Sequence, residues 1–134
     1  MSKTEKIMEI VNGPHQFSAV NGIRVTAVEP GRAEGELVVG PDSVNPRGNV
    51  HGGALSTLAD VVGGCCACSL GGRCVTSSCS MEFLRPAAGT KIRCVATPKK
   101  LGRQLSVIQV ELTDDRDKPV ATGTFTYFMI PQEE

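Results

Sequence analysis

The residues most suited to chemistry lie where a loop runs into a predicted helix, in the stretch 45–53, which reads Asn-Pro-Arg-Gly-Asn-Val-His-Gly-Gly. Glycines in the first turn of a helix leave backbone N–H groups, which have no intrahelical partner, open to a ligand. The helix dipole adds a partial positive charge at the same end. The sequence therefore predicts that Gly52 and Gly53 bind an anion, or a carbonyl oxygen that gains negative charge during a reaction.

One carboxylate follows on the same predicted helix. Asp60 is the only acidic residue between Asp42 and Glu82, and its neighbours are apolar or small. Since a lone carboxylate is costly in such surroundings, Asp60 is predicted to have either a chemical function or a structural partner, such as an Asn or Ser side chain across an interface. The small residues Gly63 and Gly64 on this helix predict close approach by another backbone.

Apolar and turn residues indicate the elements that position the loop and the carboxylate. Leu55, Leu58 and Val62 recur at helical spacing and predict a long helix over 52–70. Alternating apolar and polar residues predict strands at 23–28, 33–39, 75–84, 90–97, 104–112 and 120–130, after a short helix at 3–11. Two strands, a long helix and four strands in hairpin succession predict an α+β fold with the helix on one face of the sheet. An uncovered edge strand would pair with a second copy of the chain, so dimerisation is expected.

The composition is typical of a single globular domain. The 134 residues are 40% hydrophobic and 21% charged, and 14 basic side chains balance 14 acidic ones. A neutral chain with no Trp and one Tyr lacks the basic surface and the stacking aromatics of a nucleic-acid binder. No segment reaches the roughly 20 apolar residues of a membrane-spanning helix, and the N-terminus resembles neither a secretory signal nor a presequence. A cytoplasmic protein is expected, with a mitochondrial location left open.

The six cysteines are predicted to be reduced and dispensable for catalysis. Without a secretory signal, an even number of cysteines is weak evidence for disulfides. Cys65, Cys66 and Cys68 have neither a paired Cys-x-x-Cys motif nor a nearby His, so a zinc site is not expected. Small, buried packing residues are the usual role of free cysteines.

Several motifs along the chain occur in the same order as in one known family. They are Asn45, Gly48, His51-Gly52-Gly53-Ala54, Leu58, Asp60, Val75-Thr76, Phe83-Leu84-Arg85-Pro86-Ala87, Gly102-Arg103 and Val120-Ala121-x-Gly123-Thr124-Phe125. Together they resemble the PaaI-like branch of the hotdog-fold acyl-CoA thioesterases, from about residue 22 to residue 129. The resemblance implies a hotdog fold, in which a six-stranded antiparallel sheet wraps a long helix, with the core at 21–130. The length predicts one domain over 1–134, and the apolar stripe of residues 3–11 predicts a docking helix within 1–14. The resemblance further implies an acyl-CoA substrate, no cofactor, and a homodimer or dimer of dimers with each active site between two subunits.

The resemblance also implies roles for individual residues. The Gly52 backbone N–H would bind the thioester carbonyl oxygen, Asn45 would help hold the thioester, and His51 would orient the loop or the carbonyl. Asp60 from the partner subunit would act as a general base on water or as a nucleophile. Thr76 would position Asp60 or the water.

Further residues are candidates for substrate binding. Ser78 is predicted on the same strand face as Thr76, and Gly53 adjoins Gly52 at the helix start. Arg85 and Arg103, with Lys99 and Lys100, are candidates to bind the phosphates of CoA, although solvated surface charge is the simpler interpretation of each.

Structural interpretations compete with the catalytic ones. Asn45 before Pro46 is also typical of an Asx turn, Thr76 is a common strand residue, and His51 could bind backbone near the helix start. Other functions on the same fold are dehydration or hydration of acyl thioesters and non-catalytic acyl-CoA binding. With only His15 and His51 present, no Ser-His-Asp triad is apparent. The position of His51, without an acid beside it in the sequence, favours hydrolysis over dehydration.

Overall fold

The structure, a computed structural model, describes residues 1–131. Within them the elements follow in the order α1 (Lys3–Val11), α2 (Phe17–Val20), β1 (Ile23–Glu29), β2 (Arg32–Val38), α3 (Gly52–Ala67), β3 (Arg73–Phe83), β4 (Lys91–Leu101), β5 (Leu105–Thr113) and β6 (Pro119–Ile130). The predicted α+β class is confirmed, and α2 is a single turn that the sequence did not predict. No helix in this range is long and apolar enough to cross a membrane.

The core lies between α3 and one face of an antiparallel six-stranded sheet. Leu55, Leu58 and Val62 on α3 are at most 3% exposed, and they pack with buried strand residues such as Leu37 and Ile92. Full burial of a side chain of this size contributes about 1.5–3 kcal/mol to stability. The helix is therefore held on the sheet by the stripe of apolar residues that its sequence predicts.

The hairpin predicted at the start of the sheet is present. β1 and β2 are antiparallel, with Glu29 opposite Arg32. Pro30 and Gly31 form the turn between them, and Gly31 has a φ of 78°. Proline followed by a residue with positive φ is typical of a type II turn.

The position of β3 differs from the sequence-based expectation. The strand order is β1-β2-β4-β5-β6-β3, so β3 pairs with β6 and not with β4. The prediction that all four strands after the helix follow one another as hairpins is therefore wrong for β3. Instead of turning tightly, the connection between β3 and β4 buries Ala87, whose carbonyl oxygen accepts a hydrogen bond of 2.8 Å from the Val50 N–H. This contact attaches the connection to the loop before α3.

A bulge in β3 decides which of its hydroxyl side chains face the helix. The register shifts between Thr76, which is opposite Tyr127, and Ser78, which is opposite Thr126. Directly opposed residues share a face of the sheet and successive residues alternate, so Thr76 lies on the inner face with buried Tyr127 and Ser78 lies on the outer face. The prediction that Thr76 and Ser78 share a strand face is wrong, because the inserted residue reverses the alternation.

The outer side of β3 is an uncovered edge of the sheet. None of its 11 residues is buried, and the stretch from Cys74 to Met81 contains neither a charged residue nor a proline. On the adjoining outer face, Val75 and Phe128 are 52% and 53% exposed. Charges and prolines are the usual protection of an edge strand against pairing. The uncovered edge expected from the sequence is thus present, and it is long.

All six cysteines are free thiols, as the sequence predicts. Three are buried in the core, and burial raises the pKa of Cys65 to about 12 and that of Cys66 to about 11. Burial also raises the pKa of the third, Cys94. Since alkylation requires the thiolate and access to it, these three thiols lack both conditions at neutral pH.

We expect Cys65, Cys66 and Cys94 to resist iodoacetamide at pH 7.5 in the folded protein and to be alkylated after unfolding in guanidinium chloride. Peptide mass spectrometry with isotopically distinct reagents before and after unfolding measures this. Rapid native labelling of any of the three would contradict the burial described above.

Candidate active site

Two hydroxyl groups hold the carboxylate of Asp60. The Thr76 Oγ1 donates a hydrogen bond of 2.7 Å to Asp60 Oδ1. The Tyr127 hydroxyl lies 2.8 Å from the Asp60 backbone carbonyl oxygen and 3.2 Å from the same Oδ1. Within residues 1–131 the second carboxylate oxygen, Oδ2, accepts no hydrogen bond. The carboxylate is therefore oriented through Oδ1, with Oδ2 available to another group.

Tyr127 is a site residue that the sequence analysis missed. Burial raises the pKa of its hydroxyl far above the ordinary range, and the nearby Asp60 charge raises it further. The hydroxyl thus remains protonated and serves as a donor to Asp60 at any pH at which the protein is folded. Tyr127 is the only tyrosine in the chain, and its position on the inner face of a strand was the one available signal.

Gly63 provides the space that the Tyr127 hydroxyl occupies. A Cβ at Gly63 would overlap that hydroxyl. The small residues of this face of α3 predict close approach by another backbone, whereas at Gly63 the group that approaches is a side chain. A glycine within a helix lowers its stability by about 1 kcal/mol relative to alanine, so this contact is made at the expense of the helix.

His51 is the N-cap residue of α3. Its Nδ1 accepts a hydrogen bond of 2.8 Å from the Gly53 N–H, so Nδ1 is unprotonated and the ring proton lies on the exposed Nε2. A Cβ at Gly53 would lie 3.0 Å from Nδ1, which explains a glycine at that position. The structure therefore shows the structural alternative for His51, a hydrogen bond to backbone at the helix start, and it gives Gly53 a structural role as well.

Replacing His51 by alanine is expected to destabilise the protein by about 1 kcal/mol through loss of the N-cap, and to lower kcat as the first turn of α3 loosens. Asparagine is a good N-cap residue, so His51→Asn is expected to recover both losses. Thermal unfolding and kcat, measured on both variants, test this. A stable but inactive His51→Asn variant would instead assign the exposed Nε2 to substrate binding.

Gly52 begins α3 with a backbone N–H that has no acceptor within residues 1–131. A Cβ at Gly52 would lie 3.6 Å from the Phe83 ring, which is an ordinary contact, and its φ is not positive. Packing and backbone conformation within one protomer therefore do not require glycine here. A small residue at this helix start keeps the N–H open to an approaching group.

Asn45 forms the Asx turn that was the alternative to a catalytic role. Its Oδ1 accepts hydrogen bonds from the Arg47 N–H at 3.0 Å and from the Asn49 N–H at 3.1 Å. The backbone closes the same loop, because Gly48 N–H donates to the Asn45 carbonyl oxygen at 2.9 Å. Asn45 thus shapes the loop before α3, and only its amide nitrogen remains for a ligand.

The other predicted binding residues are not brought to Asp60 in the protomer. Arg85 and Arg103 are exposed and do not line the two clefts that border Asp60. Ser78 is exposed on the outer face of β3. Within one chain the structure therefore assembles Asp60, Thr76 and Tyr127, and separately His51, Gly52 and Gly53.

The two groups lie apart along one helix. Gly52 and Asp60 are eight residues apart on α3, which at the α-helical rise is about 12 Å. A single thioester carbonyl cannot contact both the Gly52 N–H and the Asp60 carboxylate of one protomer. One protomer can therefore polarise a carbonyl or supply a base, but it cannot do both at the same carbon.

Comparison with known proteins identifies the family. Residues 47–121 match the family model described as the Thioesterase superfamily. The acyl-coenzyme A thioesterase PaaI of Escherichia coli is 32% identical over 101 residues, which are 75% of this chain and 72% of that protein. The proofreading thioesterase EntH of Klebsiella pneumoniae is 30% identical over 104 residues, 75% of this chain and 76% of that protein.

Solved structures agree with the sequence relatives. The E. coli PaaI protein superposes with a TM-score of 0.88 at 25% identity, covering 96% of this chain and 94% of that one. A Streptococcus mutans protein bound to acetyl-CoA superposes with a TM-score of 0.78 at 26% identity, covering 84% of this chain and 91% of that one. The hotdog fold predicted from the resemblance is confirmed. The chain belongs to the thioesterase superfamily and is a PaaI-like thioester hydrolase.

Proposed function

We propose that the protein hydrolyses acyl-CoA thioesters to the free acid and CoA, with Asp60 as the catalytic carboxylate. The observation that carries this proposal is the Asp60 carboxylate, oriented by Thr76 and Tyr127 through Oδ1 and open at Oδ2. A thioester is already reactive toward water, so a positioned base and a polarised carbonyl suffice for its hydrolysis. The S. mutans protein of the same fold binds acetyl-CoA, which supports CoA as the thiol.

The reaction is proposed to proceed by attack of water. Asp60 Oδ2 takes a proton from a water molecule as the water oxygen bonds to the carbonyl carbon of the thioester. The carbonyl oxygen gains negative charge beside the Gly52 N–H of the partner subunit, which stabilises it. When the C–S bond breaks, the proton held by Asp60 passes to the sulfur, and CoA leaves as the thiol. Direct attack by Asp60 on the carbonyl carbon is the alternative route to the same products.

A complete site requires two copies of the chain. The separation of about 12 Å between Gly52 and Asp60 along α3 means that the polarising N–H and the base at one thioester come from different protomers. The uncovered edge of β3 offers the surface for pairing, because its outward backbone groups have no partner within residues 1–131. We propose a homodimer joined at β3. The exposed outer face around Val75 and Phe128 would allow dimers to pair into a tetramer.

A thiol-release assay tests the function. Purified protein is incubated with a panel of acyl-CoA thioesters, and free CoA is measured with a thiol reagent such as dithionitrobenzoate. We expect release of one CoA per free acid formed. If the protein binds acyl-CoA in calorimetry and releases no thiol, it is a non-catalytic binding protein.

The dehydratase alternative has no support in the site. Removal of an α-proton by His51 would need a ring nitrogen that is free to accept a proton, whereas Nδ1 accepts a hydrogen bond from the Gly53 N–H and Nε2 carries the ring proton. The expected cytoplasmic location stays a prediction, which cell fractionation tests.

A further inference from the structure

One cleft connects the Asp60 carboxylate with the N-terminal helix. It has a volume of about 510 Å³. One end is formed by Asp60, Thr76 and Tyr127, and the other by Ile7, Ile10 and Val11 of α1. Binding sites for small molecules are usually clefts of this order of size, apolar in most of their lining with a few polar groups at one place.

The helix α1 forms a fixed wall of this cleft. Asn12, directly after α1, donates a hydrogen bond of 2.9 Å from Nδ2 to the Val25 carbonyl oxygen, and its Oδ1 accepts from the Val25 N–H at 2.8 Å. The Ser2 hydroxyl caps the other end by accepting from the Glu5 N–H at 3.1 Å. Both ends of α1 are therefore held by side-chain hydrogen bonds, and the Asn12 pair attaches the helix to β1.

The two faces of α1 differ in the residues that they present. Ile10 and Val11 follow Ile7 by three and four residues, so the three side chains share the face that lines the cleft. Glu9 and Asn12 lie on the other side, where they border a separate depression beside Arg24. Ile10 is 68% exposed. The exposed Ile10 side chain therefore adds apolar surface that a ligand in the cleft can cover.

The lining between the two ends is also mostly uncharged. It includes Val61, Gly64, Cys65 and Cys68 of α3 and its C-cap, and burial raises the pKa of Cys65 to about 12 so that this thiol is neutral. Arg73, which is exposed, is the only cationic residue among the lining residues. Apart from Arg73, a group that extends from Asp60 toward α1 meets a surface without charged side chains, which is mostly apolar and includes the polar residues Gln16 and Ser18.

We infer that this cleft binds the acyl group of the substrate and that Ile7, Ile10 and Val11 of α1 select an apolar acyl chain long enough to reach them. The inference rests on the function proposed above and adds the class of substrate. Acetyl groups would be too short to contact α1. Acyl groups with a terminal carboxylate would lose hydration against the apolar face of α1, and the exposed Arg73 is the only cation in the lining that could offset this loss. Straight alkyl and aromatic acyl groups share the required chemistry.

A panel of acyl-CoA substrates tests the proposed class of acyl group. We expect kcat/KM to rise by about fourfold for each methylene buried from acetyl- through butyryl- and hexanoyl- to octanoyl-CoA, until the cleft is filled. Valeryl- and glutaryl-CoA form a matched pair, because they have the same number of carbons and differ in a terminal methyl or carboxylate. Valeryl-CoA should be the better substrate by at least tenfold. Benzoyl-CoA, compared with hexanoyl-CoA, distinguishes an aromatic from an alkyl preference.

Variants in α1 and α2 test whether α1 selects the acyl group. Ile10→Asp places a charge on the cleft face of α1, and we expect it to lower the ratio of kcat/KM for octanoyl-CoA to that for acetyl-CoA by about tenfold, the effect of one buried side chain. Val20→Asp is the matched control. Val20 is likewise apolar, helical and 64% exposed, but it does not line the cleft. The ratio of kcat/KM for octanoyl-CoA to that for acetyl-CoA in Val20→Asp should therefore equal that of the wild type.

The outcomes separate the two proposals. Thiol release that does not vary with chain length, or an Ile10→Asp ratio equal to that of Val20→Asp, would overturn the role of α1 and leave the thioesterase function intact. Equal rates with valeryl- and glutaryl-CoA would overturn the apolar class in the same way. Release of no thiol from any substrate would overturn the function itself, and the inference with it.

Discussion

Replacing Asp60 by asparagine is expected to lower kcat by about 10²- to 10⁴-fold, which is the usual contribution of a general base. The amide has nearly the shape of the carboxylate and can still accept from Thr76 and Tyr127 through its oxygen, so the fold and the binding surface remain. KM should therefore change little. Steady-state thiol release with one acyl-CoA substrate gives both constants.

Two further variants control for this result. Asp42→Asn makes the same change at an exposed loop position, and it should leave kcat and KM unchanged. Asp60→Glu keeps the carboxylate on a side chain that is one methylene longer, and a small residual activity is expected. A folded, dimeric Asp60→Asn protein that turns over near the wild-type rate would remove Asp60 from the mechanism and assign the activation of water to another group.

A proline at Cys79 is expected to separate the subunits and lower kcat/KM by at least about 10²-fold. The Leu84 N–H donates to the Val120 carbonyl oxygen at 2.8 Å. Since N–H groups alternate in direction along an antiparallel strand, Ser80 also faces β6 and the Cys79 N–H faces the open edge. Proline would remove this outward donor and spare the ladder with β6. Without the partner subunit the thioester loses the Gly52 N–H, and loss of one such donor costs about 10²- to 10³-fold in rate.

The matched control at this position is Cys79→Ser, which keeps the N–H and removes only the thiol. It should remain dimeric with wild-type activity, and it also tests whether this thiol is dispensable. Sedimentation velocity gives the oligomeric state, and circular dichroism confirms the fold. A monomeric Cys79→Pro protein with full activity would show that one protomer holds a complete site. A dimeric one would move the interface away from β3.

The sequence predicted the elements of this fold better than their arrangement. Helix α3 was predicted from the spacing of Leu55, Leu58 and Val62. All six strands were predicted, and so were the pairings of β1 with β2, β4 with β5 and β5 with β6, whereas the pairing of β2 with β4 was not. The pairing of β3 with β6 was missed because the five residues 85–89 between the predicted strands, which include a proline, are compatible either with a hairpin turn or with a connection that crosses to a more distant strand. The long-range contact between Val50 and Ala87, which holds the crossing, leaves no local pattern.

The site was predictable to a similar extent. Asp60 and Thr76, which the resemblance brought together, are hydrogen-bonded in the structure. Ser78 was placed on the wrong face because regular alternation was assumed through the bulge, and a bulge is a property of two strands. Tyr127 was missed for a related reason, since its contact with Asp60 joins residues 67 positions apart. Hydrogen bonds across the fold can be inferred only once the pairing of strands is known.

The two adjacent glycines of α3 have opposite consequences for engineering the protein. Gly→Ala within a helix raises stability by about 1 kcal/mol when the site has room. Gly63 has none, because a Cβ there would displace the Tyr127 hydroxyl from Asp60. At Gly64 a Cβ would lie 3.6 Å from the Tyr127 ring, an ordinary contact, but Gly64 also lines the cleft toward α1. If the cleft binds the acyl group as inferred above, heat resistance gained by Gly64→Ala would narrow the range of acyl groups that the enzyme accepts.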